Sequence, residues 1–150
     1  MTIQVDVENV SGVMDGVPDT ALITQWVSYA LEGQRQQAIL SVRVVDEQES
    51  EALNRQYRQQ QKPTNVLSFP SDLPENFDPP VLGDLAICAS IVANEALAQG
   101  KELQAHWAHM IIHGTLHLLG FDHGDDVEAE LMEAREVVLL SRLGFANPYE

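Results

Sequence analysis

The stretch from His113 through Gly114, Thr115, Leu116, His117, Leu118, Leu119, Gly120, Phe121 and Asp122 to His123 constrains this chain most. Three of its five histidines fall there, at a helical spacing followed by a break. Four residues advance an α-helix by about 400°, so His113 and His117 lie about 40° apart on one face, one turn above the other. Both rings can then reach one ion. Gly120 stands where a helix C-terminus favours positive φ, and a turn there swings the chain so that His123 approaches the same ion from outside the helix. Three neutral imidazoles with one open position describe a catalytic zinc site, in which the metal lowers the pKa of bound water to roughly 7. One zinc per chain is expected, preferred over nickel, copper or iron on ligand type and availability.

The spacing also matches the long zinc-protease pattern H-E-x-x-H-x-x-G-x-x-H at every defined position except one. Gly114 stands where the general-base Glu belongs. A glycine can neither take a proton from water nor give one to a leaving amine, so the ligand spacing points away from peptide hydrolysis. His106 and His109 precede the triplet on the same helix and are read as structural. Each ligand ring needs a partner for its second nitrogen, and Asp122 or Asp84 could supply it, with no preference between them.

At 150 residues the chain is read as one domain, 1–150, long enough to bury a core without disulfides. Cys88, the only cysteine, lies in an apolar run and reads as a buried small hydrophobe. The N-terminus has no basic-then-apolar leader, and nowhere do about 18 uninterrupted apolar residues occur, so a soluble, cytoplasmic chain with no membrane partner is expected. Alternation from Ile3 to Val7 predicts a strand. Pro18 suits a first helical position, and an apolar stripe through Trp26 runs on to Leu31. Ala38–Val45 reads as an interior strand, and Asp46 with Glu49 as the cap of a helix whose apolar pair is Leu53 and Tyr57. Asn65–Phe69, stopped by Pro70, and Gly83–Cys88 give two more strands. Helices follow at 91–99, 102–119 and after Asp125, the last with apolar positions Val127, Leu131, Ala134 and Val138. This order indicates an α+β fold, a small mixed four-stranded sheet packed with about five helices, with the zinc site at a cleft.

The formal charge of −15 argues on its face against a nucleic-acid partner. Of eight Lys and Arg residues, however, Arg55, Arg58 and Lys62 crowd into one window, and a zinc ion would add local positive charge. On spacing alone two readings of these cations stand. Arg55 can pair with Glu51 one turn earlier and basic residues suit helix C-termini, or Arg58 serves a site.

Tyr57-Arg58, then Lys62-Pro63-Thr64-Asn65-Val66-Leu67-Ser68-Phe69-Pro70, then Leu82-Gly83-Asp84-Leu85, then His113 to His123, together resemble the YbeY family over nearly the whole chain. The resemblance implies a metal-dependent endoribonuclease that cuts single-stranded RNA. Its expected roles are maturation of the trailing end of small-subunit ribosomal RNA and ribosome quality control, with small-subunit ribosomal proteins as possible partners. It carries the metal-binding role to His113, His117 and His123, and the functional arginine to Arg58. Arg55 and Lys62 are then placed to hold flanking phosphates. Two alternatives remain open: a zinc hydrolase of a non-RNA substrate, and a non-catalytic ribosome-associated factor with a structural zinc.

Overall fold

The alternating apolar run at the start of the chain forms β1 (Thr2–Asn9), and it leads into nine elements in a computed structural model that describes residues 2–74, 76–122 and 124–150. They are β1, α1 (Thr20–Leu31), β2 (Gln37–Val45), α2 (Glu47–Arg58), β3 (Val66–Pro70), β4 (Val81–Cys88), α3 (Ala89–Gln99), α4 (Leu103–Leu118) and α5 (Asp126–Arg142). The sheet order is β1-β2-β4-β3, with the first two pairings parallel and β3 antiparallel to β4. The sheet is therefore mixed and the fold α+β, as the sequence pattern indicates. β2, apolar on nearly both faces, is interior, flanked by β1 and β4.

The core gathers around α4. This helix packs on α1, α3 and α5 and against β3 and β4. Trp107, Ala108, Met110, Ile111, Ile112 and Leu116 are all buried on it, and so are His106 and His109. A helix buried almost all round shows little amphipathic pattern. Helix entries are set by short polar side chains: Asp19, Asp46 and Asp125 each accept a hydrogen bond from a backbone N–H three residues on. Pro18 thus lies one residue before the cap of α1, not at its first helical position, because Asp19 takes the capping role.

Three other expectations are corrected. Pro70 closes β3 as its last residue instead of stopping the strand before it, which is allowed because β3 is an edge strand. Leu53 and Tyr57 do not form the buried face of α2; Ser50 and Asn54 do. The stripe Val127, Leu131, Ala134 and Val138 is exposed, and α5 buries Met132, Glu136, Leu139 and Leu140 instead. The buried face carries a glutamate, so a search for apolar residues alone selects the wrong side.

Gly114 allows α4 to approach the sheet closely. A Cβ there would lie 2.9 Å from Leu85 Cδ2 and 3.1 Å from Val66 Cγ2, and its carbonyl accepts the Ser68 hydroxyl at 3.0 Å. Gly114→Glu would force a charged side chain into that contact. It should lower unfolding free energy by about 2–4 kcal/mol in urea titrations and create no peptidase activity. A Glu variant as stable as the parent would contradict this packing.

Candidate metal centre

His113 and His117 stand one turn apart on the C-terminal half of α4, both partly buried, with ring centroids 4.7 Å apart. The helix stops where the sequence places its break. Gly120 takes φ +105°, its N–H donates to His117 O and Phe121 N–H reaches back to Leu116 O. His123 lies outside the described residues. Its neighbours Asp122 and Gly124 border the same cavity of about 370 Å³ as His113 and His117.

Arg58 borders that cavity too, together with Asn65 and Ser68. It is the last residue of α2, after which Gln59 adopts a left-handed conformation at φ +59° and turns the chain. The loop that follows is held from within the helix. Ser50 Oγ donates to Thr64 O and accepts from Thr64 N–H, both at 2.9 Å, and Asn54 Nδ2 donates to Lys62 O at 2.8 Å. Asn65 is fixed in turn by Glu95, which accepts from its Nδ2 at 3.1 Å. Arg58 forms no ion pair with any described carboxylate. Arg55 and Lys62 are exposed and do not border this cavity, and the same holds for their pairing: no ion pair joins Arg55 to Glu51.

Behind the two histidines lies a buried carboxylate. Glu136, fully buried on α5, accepts from His113 Nδ1 through Oε2 at 2.7 Å and from His109 Nε2 through Oε1 at 2.6 Å. Oε1 also accepts the Tyr149 hydroxyl at 2.5 Å. Burial pushes the Glu136 pKa up, but the hydrogen bonds from His109 and His113 outweigh it and hold the group at about 2. An ionised carboxylate only accepts, so His113 must carry its proton on Nδ1, and this tautomer presents the Nε2 lone pair for coordination. Burial and the neighbouring Glu136 push the Tyr149 phenol above its ordinary value, so it remains a donor. One turn further back, His106 Nε2 lies 2.9 Å from Glu95, and burial lowers its pKa and keeps it neutral.

The donor set fits a metal. His109, His113 and Glu136 bring one ligand-type atom each within 4.8 Å of one another, a His-His-Glu group able to bind an ion. As arranged, these atoms engage one another. Contacts of 2.6 and 2.7 Å are hydrogen-bond lengths, shorter than the roughly 3.3 Å that separates ligand atoms around a tetrahedral zinc with bonds near 2.05 Å. Glu136 is therefore better suited to orienting His113 than to sharing an ion with it. Asp84 accepts the Ser41 hydroxyl and is not part of this cavity.

Glu136, Tyr149, Ser50, Asn54 and Glu95 all escape a sequence-only search. Only Glu136 leaves a trace, as a glutamate in helical phase with Met132 and Leu140.

A family profile described as Endoribonuclease YbeY matches residues 10–144. A protein of Cellvibrio japonicus (strain Ueda107) named Endoribonuclease YbeY is 51% identical over 148 residues, covering 98% of this chain and 83% of that protein. The solution structure of TM1509 from Thermotoga maritima is similar with a TM-score of 0.63 at 24% identity, over 95% of this chain and 89% of that one. That last likeness concerns the fold alone.

Glu136 gives a pH prediction for the metal-free protein. Its folded pKa of about 2 lies below the ordinary 4.5, so its contribution of about 3 kcal/mol is fully present above pH 4.5 and is lost as pH falls toward 2. Glu136→Gln should be less stable than the parent at pH 7, with the gap closing across that window in urea titrations. Parallel stability curves for the two proteins would contradict the assignment.

Proposed function

The chain belongs to the Endoribonuclease YbeY family, and from that premise we propose that it is a zinc-dependent endoribonuclease that cuts single-stranded RNA. Its target in this reading is the trailing end of small-subunit ribosomal RNA, met in the cytoplasm during ribosome maturation and quality control, with small-subunit proteins as neighbours. The whole of 1–150 acts as one hydrolase domain. The observation that carries the reading is a single cavity bordered by Arg58, His113 and His117 together.

His113, His117 and His123 would hold the ion, with His113 oriented by Glu136. When bound, zinc would supply a Lewis acid to the phosphodiester and a lowered pKa to a water it binds. The remaining work belongs to the chain. Arg58 has a planar fork that fits two phosphate oxygens and is always charged, so it stabilises the charge that develops as the phosphodiester is attacked. No ion pair to a carboxylate among the described residues takes up that charge. The buried hydrogen bonds of Ser50 and Asn54 keep the loop after Arg58 in place, so the arginine meets its substrate from a fixed helix end. Arg55 and Lys62, exposed on and just after the same helix, are suited to phosphates further along the strand. The Glu absent at position 114 matters less here, since cleavage of a phosphodiester needs no proton delivered to an amine.

Purified, zinc-loaded protein should cut single-stranded RNA. Arg58→Ala should lower the rate about a hundredfold with an unchanged thermal midpoint, because the side chain is exposed. Arg58→Lys should fall between. His117→Ala should lose bound zinc and activity together. Intact RNA after incubation with the zinc-loaded parent, or variants that cut as fast as it does, would defeat the proposal.

A further inference from the structure

The sign of the molecule's charge raises a question about RNA affinity. Phosphate contacts normally supply most of it, yet this chain carries a net −15, and its one cluster of cations along the sequence is Arg55, Arg58 and Lys62, of which Arg58 borders the metal cavity. Three cations in so acidic a setting leave much of the attraction to other forces. The uncharged force open to single strands is stacking, since every base offers a π-face.

A second cavity, of about 660 Å³, adjoins the metal cavity, and Arg58 and Ser68 border both. Tyr57 and Phe69 form part of its wall. Their rings meet edge to face with centroids 5.0 Å apart and planes at 65°. Tyr57 nevertheless remains 60% exposed, so the contact braces the ring without consuming its surface in the core. A tyrosine braced in this way loses little further freedom when a base covers it. It also directly precedes Arg58 on the last turn of α2, so a base at Tyr57 and a phosphate at Arg58 belong to one short stretch of strand.

We propose that Tyr57, braced by Phe69, is a stacking subsite for the nucleobase adjoining the phosphodiester held at Arg58. The subsite takes any of the four bases of a single-stranded RNA. It rests on the nuclease reading for the identity of its ligand, and it explains how an acidic protein holds a polyanion. Affinity should then depend only weakly on salt. Three phosphate contacts on a single strand correspond to a slope of log K against log salt no steeper than about −2.

The test uses zinc-loaded full-length protein and short 2′-O-methyl RNA checked by gel to stay intact during the measurement, with 2-aminopurine or an abasic residue scanned along it. In the parent, 2-aminopurine fluorescence should be quenched at one or two adjacent positions. Tyr57→Ala should abolish that quenching and weaken binding about five- to a hundredfold, whereas Tyr57→Trp should retain both. An abasic residue at the quenched position should weaken the parent by a similar factor and Tyr57→Ala hardly at all. Equal weakening of intact and abasic strands by Tyr57→Ala, unchanged binding, or a steep salt slope would overturn the subsite. Quenching without cleavage of ordinary RNA would sink the nuclease reading and leave the subsite standing. Cleavage by the parent with no effect of Tyr57→Ala on binding or on KM would do the reverse.

Discussion

The buried Glu136 carboxylate is the interaction around which the histidine side of the molecule is arranged. A charge with no solvent exposure is tolerable only when its lone pairs are taken up, and His113, His109 and Tyr149 take them up from α4 and from the C-terminal segment. This requirement sets the rotation of α5, which must turn Glu136 inward even though Val127, Leu131 and Val138 are left facing water. It also ties down the C-terminal segment through Tyr149, alongside the bonds from Lys101 Nζ to Pro148 O at 2.9 Å and from Phe145 N–H to Leu140 O. One carboxylate therefore couples two helices, the tail and the tautomer of a histidine at the cleft.

The opposite wall is built by a different device. α2 has an inward face of Ser50 and Asn54, and its contribution is hydrogen bonds to the loop instead of apolar packing. Those bonds take up backbone groups of Lys62 and Thr64 and the polar atoms of two buried side chains. The result is a rigid turn directly after Arg58, from which the chain passes through Asn65 into β3 and so lies beside α4. One wall of the cleft is held by hydrogen bonds to the buried Glu136 and the other by the Ser50 hydroxyl and Asn54 amide that anchor the loop. Such preorganisation is what electrostatic stabilisation of a transition state requires.

The strands and helices were legible because their signals are local. Alternation marks β1, Asp46 and Asp125 mark two helix entries, and Gly100, Gly120 and Gly144 mark helix ends with positive φ. The placement of His113 and His117 one turn apart on a single helix is legible for the same reason, and His123 lies outside the described residues. What the sequence concealed depends on contacts made across the fold. Glu136 lies 23 residues from His113, Glu95 lies 30 from Asn65, and Tyr149 lies 40 from His109. Nothing in the spacing of Asp84 or Asp122 could show that the nitrogen opposite the cleft belongs to a glutamate on another helix. The face of α5 was misread by the same blindness, since a buried charge looks like a surface residue until its partners are known.

Gly114 joins these levels. In sequence it is a defect in a protease-like pattern, a missing acid–base group. In the fold it is the point where α4 presses on Leu85 and Val66, and where the Ser68 hydroxyl meets the helix carbonyl. A side chain there would crowd Leu85 of β4 and Val66 of β3, and β3 also carries Ser68 and Phe69, which border the cavities at Arg58. The close approach that excludes a glutamate is thus the same one that draws the arginine side and the histidine side together. The departure from the protease-like pattern and the close fit of α4 on the sheet therefore meet at a single packing contact.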